Sequence, residues 1–385
     1  MIIYNGQWLQ NNLVQQEAAA AYADNLITQS EKDAAIQFYP SHFYSPNIFI
    51  RIGLFILTVL ITSFTLGLFF MFFTDGYGEK SIGIQCIFFG IAAGIAAEWI
   101  VRAKHHRQSG VDDALMWMCG ILLIAGINLL TTVSAITNAW IILCLALYFT
   151  IRFADRLMAG VLATAIPALI FLIIIQWPAG RLLAPFVLMA TAALIYIGAG
   201  KIKTAEKSIY YRPCVTVIEL TALMIFYIAG NYYAVSEAQK EFFNAGSYTT
   251  HSIPFGWFFW ACTFLIPLVY IFRGMQKKDL LLIRTGAVLC AAAVYTFRFY
   301  YHVFAPEIAM IVAGTGCILL SWWLGRLLQQ GRAGFTSRQK RNHYNAGIED
   351  LEAIIIADTA AGDASAPNTN FGGGSFGGGG ASAEF

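Results

Sequence analysis

Four ionisable side chains lie inside long apolar stretches of this sequence, where charge is costly. They are Arg51, Glu98, Glu219 and Arg284. Each such group costs about 2.5–3.5 kcal/mol at the centre of a membrane helix. Within a membrane a carboxylate can carry a proton or coordinate a cation, and a guanidinium can be its counter-ion. These four residues are therefore the candidate functional residues.

Glu219 is the strongest of the four. Its side chain is short, and the nearest base in the sequence, Arg212, is seven residues back and outside the apolar stretch. We expect Glu219, with Arg284 as its counter-ion, to line a polar cavity that opens to the cytoplasm. In a transporter this acid would carry a proton or a cation.

A purely structural role is the alternative for the other charges. Arg51 and Arg284 have long side chains that can reach the membrane interface. Glu98 can pair with Arg102, one helical turn further along the same helix. Two acids and two bases at one depth can also pair across helices, which would offset most of the cost of their burial.

The composition defines the class of protein that must position these residues. The chain has 385 residues, of which 58% are hydrophobic and 12% charged, and its formal net charge is +2. Soluble domains carry about 25% charged residues. The mean hydropathy of +0.62 excludes a soluble globular enzyme, a disordered protein and a nucleic-acid binder recognised by bulk charge. We expect an all-α, polytopic helical bundle in a lipid bilayer.

Ten apolar runs have the length of about 20 residues that a helix needs to cross a bilayer. The predicted spans are Ile48–Phe73, Ile82–Val101, Ala114–Val133, Ala135–Ile151, Leu157–Ile175, Leu182–Ala199, Val215–Val235, Pro254–Phe272, Leu280–Phe297 and Ile308–Leu324. The connection between spans three and four is so short that the position of the boundary between them is the least well defined of the set.

Basic residues fix the expected orientation, because cytoplasmic loops are rich in Lys and Arg. With the N-terminus in the cytoplasm, that side holds nineteen of the 24 basic residues and the other side four. The bias holds from loop to loop, which supports both the number of spans and the alternation. Both termini are predicted to be cytoplasmic. In this topology the four buried charges lie at one level, about 5–6 Å inside the cytoplasmic edge.

Two glycines in the second span, Gly90 and Gly94, have the spacing that allows close helix packing. Glu98 follows four residues later, on the same face. This pattern predicts a tight helix contact directly beneath an acid, and it is common in membrane helices that have no special function.

The regions outside the spans form three further segments. Residues 1–47 are predicted to form two short cytoplasmic helices, with Thr28 and Glu31 as a capping box. This pair either packs on the membrane domain, 48–325, or docks a protein partner. Residues 326–362 combine a basic stretch with a short amphipathic helix, and residues 363–385 form a flexible Gly-rich tail.

Two stretches resemble known proteins. The segment Asn25-Leu26-Ile27-Thr28-Gln29-Ser30-Glu31, followed by apolar spans, resembles bacterial predicted inner-membrane proteins of unknown function. The tail that begins Phe371-Gly372-Gly373-Gly374-Ser375 is similar to the Gly-rich tails of bacterial TPM-domain membrane proteins. The TPM domain itself has no counterpart here, so no phosphatase activity is implied. The resemblance implies a bacterial cytoplasmic membrane and supplies no catalytic residue.

The sequence contains no motif for nucleotide binding, metalloprotease chemistry or a nucleophilic serine. Its seven cysteines are widely spaced, which argues against a disulfide framework or a metal site. We therefore expect no cofactor, no metal and no nucleic-acid partner, and an enzyme is the less favoured class. The leading hypothesis is a permease-like protein for a small solute. The alternative is a non-catalytic membrane scaffold that recruits partners to its cytoplasmic ends.

Overall fold

A computed structural model of the chain describes residues 2–24, 26–73, 78–204, 206–243, 254–301 and 314–315. Within these ranges the regular structure is helical. The helices are α1 Gly6–Ala23, α2 Gln29–Phe38, α3 Ile48–Phe73, α4 Glu79–Lys104, α5 Val111–Leu130, α6 Ala135–Phe153, α7 Arg156–Ile174, α8 Gly180–Thr204, α9 Arg212–Gly230, α10 Tyr232–Phe243, α11 Gly256–Lys277 and α12 Leu280–Tyr300. A 3₁₀ turn, Glu206–Tyr211, connects α8 to α9.

Nine of the helices in the described part of the chain are long and apolar enough to cross a membrane. They coincide with the first nine predicted spans, so the all-α polytopic bundle is confirmed. The tenth predicted span, Ile308–Leu324, lies outside the described residues except for Gly314 and Thr315, which are helical. The regions 326–362 and 363–385 also lie outside them.

The end of the seventh span differs from the prediction. The predicted span ran to Val235, followed by an outer loop, but α9 ends at Gly230 and α10 begins at Tyr232. Asn231 breaks the helix, and its side-chain oxygen accepts a hydrogen bond from the Ala234 N–H at the start of α10. The predicted span passed over this break because apolar residues lie on both sides of Asn231, although Asn is a preferred N-cap residue.

The N-terminal segment forms the two predicted helices and packs against the membrane domain. The capping box of α2 is present, with the Glu31 carboxylate 2.7 Å from the Thr28 amide nitrogen. Tyr4 and Leu9 are buried in a cluster that also contains residues of α4, α5 and α6. The amide of Ile3 donates to the carbonyl of Arg152 at the end of α6. The start of this segment therefore belongs to the bundle core, whereas α2 has no buried residue.

Loops that were predicted to be cytoplasmic come together at one end of the bundle. Tyr44 exchanges backbone hydrogen bonds with the loop after α4, donating to the His105 carbonyl and accepting from the Arg107 amide. The Tyr211 hydroxyl, before α9, donates to the Ile151 carbonyl of α6 at 2.7 Å. The alternation predicted from the basic residues agrees with these contacts. We call this end of the bundle the basic end.

Small residues let α4 and α5 approach closely. A side chain at Gly90 would press on Leu123 of α5, and one at Gly94 would meet the Cys119 sulfur. At the other end of the same contact, Gly126 of α5 lies against the backbone of Gly83. Van der Waals packing drives helix association in lipid, so these glycines allow contacts that larger residues would prevent.

Gly110 allows the first turn of α5 to touch the first turn of α3. Its φ angle is +92°, and a Cβ atom there would collide with the carbonyl of Arg51. Both the conformation and the space therefore require glycine. We expect Gly110→Ala to destabilise the protein by about 2 kcal/mol or more, measured by denaturant unfolding of the detergent-solubilised protein.

Gly120→Ala is the matched control for Gly110→Ala. Gly120 is in the interior of α5, and nothing lies within 4 Å of the position its Cβ would take. Alanine should be neutral or stabilising by up to about 1 kcal/mol there. Equal stability of the two variants would contradict the close contact between α3 and α5.

Candidate functional site

The charged residues selected from the sequence belong to separate groups at the basic end. The Arg51 group contains Arg51 and Asp113, the Glu98 group contains Glu98 with Arg102 and Arg152, and the Glu219 pair contains Glu219 and Lys203. Arg51, Glu98 and Glu219 therefore belong to three different groups and do not form one cluster. Arg51, Glu98 and Glu219 each lie toward the basic end of their helix.

Arg51 is held against α5 by a two-donor contact. Its Nη2 and Nε atoms lie 2.6 Å and 3.0 Å from Oδ2 of Asp113. Asp113 is 5% exposed, so its carboxylate depends on this guanidinium for compensation. The adjacent Gly110 brings the two helices close enough for the pair to form.

Asp112 closes the loop that precedes α5. Its carboxylate accepts hydrogen bonds from the amides of Gln108 and Ser109, each at 2.9 Å, and from the Ser109 hydroxyl. That hydroxyl also lies 2.8 Å from Nδ1 of His106. Burial lowers the pKa of His106. The Asp112 carboxylate therefore holds the loop ahead of α5, while Gly110 is the N-cap of the helix and makes no side-chain capping bond.

Arg107 lies between the N-terminal segment and the membrane helices. Its guanidinium is 5.9 Å from the ring centre of Tyr4 and 5.4 Å from that of Phe43, which is cation–π geometry. Burial lowers the pKa of Arg107, and burial raises the pKa of Tyr4. The raised pKa keeps the Tyr4 hydroxyl neutral near pH 7, and the contact ties the N-terminal segment to the loop after α4.

Asp155 begins α7 at the same end of the bundle. Its carboxylate accepts a hydrogen bond from the Met158 amide at 2.7 Å. Burial raises the pKa of Asp155, and the charge of Arg51 acts in the opposite direction. Three buried acids, Asp112, Asp113 and Asp155, thus lie close enough to interact electrostatically.

Glu98 joins α4 to α6. Its carboxylate lies 2.7 Å from Nη2 of Arg102 and 3.0 Å from Nε of Arg152, and it accepts a hydrogen bond from the Tyr148 hydroxyl at 2.8 Å. The pairing with Arg102 was expected from the one-turn spacing. Arg152 and Tyr148 are more than 45 residues away in sequence, and no local pattern identifies them as partners.

Glu219 has a counter-ion that the sequence did not single out. Nζ of Lys203, near the end of α8, lies 2.6 Å from Oε2 of Glu219. Glu219 is buried, and the Lys203 side chain is half-buried. The sequence does contain a signal for this pair. In a hairpin of two helices, residues equally far from the turn lie opposite each other, and Lys203 and Glu219 are equally far from Tyr211 at the turn. Arg284 begins the second turn of α12.

Two cavities lie beside these charges. A groove of about 500 Å³ runs between α4, α5 and α6 and includes Glu98 and Arg102 in its wall. A smaller cavity of about 260 Å³ lies among α8, α9, α11 and α12. Ala222 and Leu223, one turn beyond Glu219, line it, and Arg273 and Lys277 form its charged part. Both cavities combine apolar walls with basic groups.

The described residues offer little for covalent or metal chemistry. Among them there is no group of three or more His, Cys, Asp or Glu side chains that could hold a metal ion. The buried thiol of Cys214 donates to the Ala154 carbonyl at 3.0 Å. The arrangement is suited instead to binding an anion or an amphipathic molecule. No protein-family model, curated protein or solved structure matches the chain.

The Arg51–Asp113 pair predicts a strong energetic coupling. Arg51→Ala should destabilise the protein by about 2–4 kcal/mol, because it leaves a buried carboxylate without its counter-ion. Asp113→Ala in the Arg51→Ala background should cost much less than it does alone, giving a coupling energy of about 1–3 kcal/mol. Denaturant unfolding in detergent measures all three variants.

The exposed pair Lys240–Glu237, with a 2.7 Å separation, is the control for this cycle. Exposed pairs usually couple by less than about 1 kcal/mol. A coupling of Arg51 with Asp113 no larger than that of Lys240 with Glu237 would contradict the structural importance of the buried pair.

Asp155, the N-cap residue of α7, gives a pH-dependent prediction. Since burial raises the pKa of Asp155, the folded state disfavours its charged form at neutral pH. Asp155→Asn keeps a helix-capping oxygen and should match or slightly exceed the natural protein in stability at pH 7. The difference should shrink once the pH falls below the folded-state pKa and vanish near the pKa of an unfolded Asp, about 3.9. Asp155→Ala should be about 1 kcal/mol less stable than Asp155→Asn at every pH, and unfolding curves from about pH 3 to pH 8 test both.

Proposed function

We propose that this protein is a permease-like carrier for a small, mostly apolar anion in a bacterial cytoplasmic membrane. Its basic end faces the cytoplasm, in accord with the distribution of Lys and Arg. The observation that carries the proposal is the cavity of about 260 Å³ at this end. Its size, slightly below that of typical pockets for drug-sized ligands, suits a small solute.

The lining of the cavity defines the solute. Aromatic and aliphatic side chains, including Tyr196, Phe226 and Tyr270, provide most of the wall. Arg273 and Lys277, on successive turns of α11, add two positive charges near the cytoplasmic end. An apolar body with one acidic group would place its charge by these residues and its body against the aromatic rings.

The Glu219 pair lies where it can control the width of this cavity. Lys203 and Glu219 join α8 to α9, and the same two helices supply one wall of the cavity. The Tyr270 hydroxyl donates to the Leu223 carbonyl at 3.2 Å and fixes α11 to α9. Movement of α8 or α11 relative to α9 would have to change one of these polar contacts, so they are the proposed points of gating.

A helix break supports the same proposal. Helix α9 stops at Asn231, whose amide donates to the Tyr227 hydroxyl and to Oγ1 of Thr296. Interrupted helices with buried polar groups are common in carriers, because the freed backbone groups can serve a moving substrate. The break lies toward the end of α9 that is opposite the Glu219 pair.

A second function is supported by a specific observation. Arg51, Glu98 and Glu219 each have an opposite charge within hydrogen-bonding distance, as a sealed scaffold requires. Phe38, at the end of α2, is 83% exposed and offers an apolar contact for a cytoplasmic protein. In this alternative the protein recruits partners and moves no solute.

Access of water to the cavity distinguishes the two functions. In a variant without the seven native cysteines, Ala193→Cys places a thiol in the cavity wall. In inside-out vesicles, a membrane-impermeant charged thiol reagent should label it at least tenfold faster than Leu194→Cys. Leu194 is the next residue, at the same depth, but is 70% exposed on the outside of the bundle, where lipid keeps a thiol protonated and unreactive.

The outcome decides between the proposals. Slowing of Ala193→Cys labelling by small aromatic carboxylates, and loss of that protection in Arg273→Ala, would support the carrier. Equal, very slow labelling of both cysteines would contradict the carrier and favour the scaffold.

A further inference from the structure

The groove between α4, α5 and α6 is larger than the cavity beside Glu219, about 500 Å³ against about 260 Å³. Its apolar wall includes Ile91 and Ile95 of α4 and Leu123 of α5. Ile91 and Ile95 are exposed at the surface of the bundle, within a helix that is long and apolar enough to cross a membrane. The groove therefore opens sideways, toward the hydrocarbon of the surrounding bilayer.

Charged and polar groups occupy one end of this groove. Glu98 and Arg102 lie on α4, and Tyr148 approaches from α6. Arg152, which bonds Glu98, adds a second guanidinium from the end of α6. Because Arg102 is two residues from the end of α4, its charge lies within about 3 Å of the helix terminus, at the level of lipid headgroups.

The balance of charge at this end favours an anion. Two guanidinium groups face one carboxylate, which leaves a local excess of one positive charge. Arg102 gives one N–H to Glu98, and its side chain is 60% exposed. A guanidinium has five donors, so Arg102 has accessible N–H groups in the planar geometry that suits phosphate oxygens.

Trp99 marks the boundary between the two parts of the groove. It belongs to the groove wall and is 60% exposed, between the apolar residues and Arg102. Indole rings are favoured at this level because they have an apolar body and one N–H donor. From Trp99, the apolar wall reaches Ile91 over eight residues, or about 12 Å of hydrocarbon depth.

We infer that the α4–α6 groove binds one anionic phospholipid of the cytoplasmic leaflet, with its phosphate on Arg102 and an acyl chain against Ile91, Ile95 and Leu123. A soluble phosphate would use only the charged end and would leave the apolar wall without a ligand. The site is separate from the cavity beside Glu219, and its failure or success leaves the carrier proposal to be decided by the labelling experiment.

Native mass spectrometry of the detergent-purified full chain can measure this binding. The protein is titrated with phosphatidylglycerol and, separately, with phosphatidylcholine of the same chains. We expect at least tenfold tighter retention of phosphatidylglycerol. Arg102→Ala should weaken phosphatidylglycerol binding about tenfold, the effect of losing one charge-assisted contact. Glu98→Gln should tighten it, because the arginines lose their competing carboxylate while the side-chain shape is kept.

Matched variants separate the groove from the general lipid surface. Ile95→Trp fills the groove and should reduce phosphatidylglycerol binding. Ile84→Trp lies on the same helix with similar exposure, 61% against 66%, but outside the groove, and should have no effect. Lys240→Ala, at another charged position outside the groove, should also have no effect.

Three outcomes would overturn the inference. The first is equal affinity for phosphatidylglycerol and phosphatidylcholine. The second is full competition by inorganic phosphate alone, which would assign the charged end to a soluble anion. The third is unchanged binding in both Arg102→Ala and Ile95→Trp, with Ile84→Trp, which lies outside the groove, serving as the folded reference.

Discussion

Burial of the Asp113 carboxylate sets the arrangement of the basic end. An unpaired carboxylate at this depth would cost several kcal/mol, so Arg51 must lie within reach. That requirement draws the first turn of α3 against the first turn of α5, and Gly110 makes the approach possible. The loop before α5 then adopts strained backbone angles at His105 and Gln108, which the carboxylate of Asp112 holds in place. One ion pair thus determines how a peripheral helix, a loop and the bundle meet.

The sequence predicts the helices of this protein better than it predicts the contacts between them. Hydropathy and loop charge located nine spans, and the Thr28–Glu31 spacing located α2, because these signals are local. The Glu98–Arg102 pair joins residues one helical turn apart. The Lys203–Glu219 pair joins two helices that form an antiparallel hairpin. The pairing of Arg51 with Asp113 is different, since 62 residues separate them and only the packing of α3 on α5 brings them together.

The N-terminal segment shows how a polar region becomes part of a membrane bundle. Tyr4 is buried among residues of α4 to α7, and the guanidinium of Arg107 lies over its ring in a cation–π contact. Trp8 packs edge-on against His105 at 4.7 Å. Aromatic rings suit this boundary because they cover apolar surface and still tolerate nearby charge. The start of the segment therefore covers apolar surface at the basic end of α4, α5 and α6.

The same chemistry recurs at the two cavities and accounts for their proposed ligands. Each has a mostly apolar lining and, at one end, charged side chains among which positive charge exceeds negative charge. A fully polar anion would have to be desolvated against such walls without compensation, whereas a neutral apolar molecule would gain nothing from the charged end. An amphipathic anion satisfies both parts. The difference lies in their size, since the α4–α6 groove has a volume of about 500 Å³ and the cavity beside Glu219 about 260 Å³. The proposed ligand of the first is therefore a membrane lipid and that of the second a smaller solute.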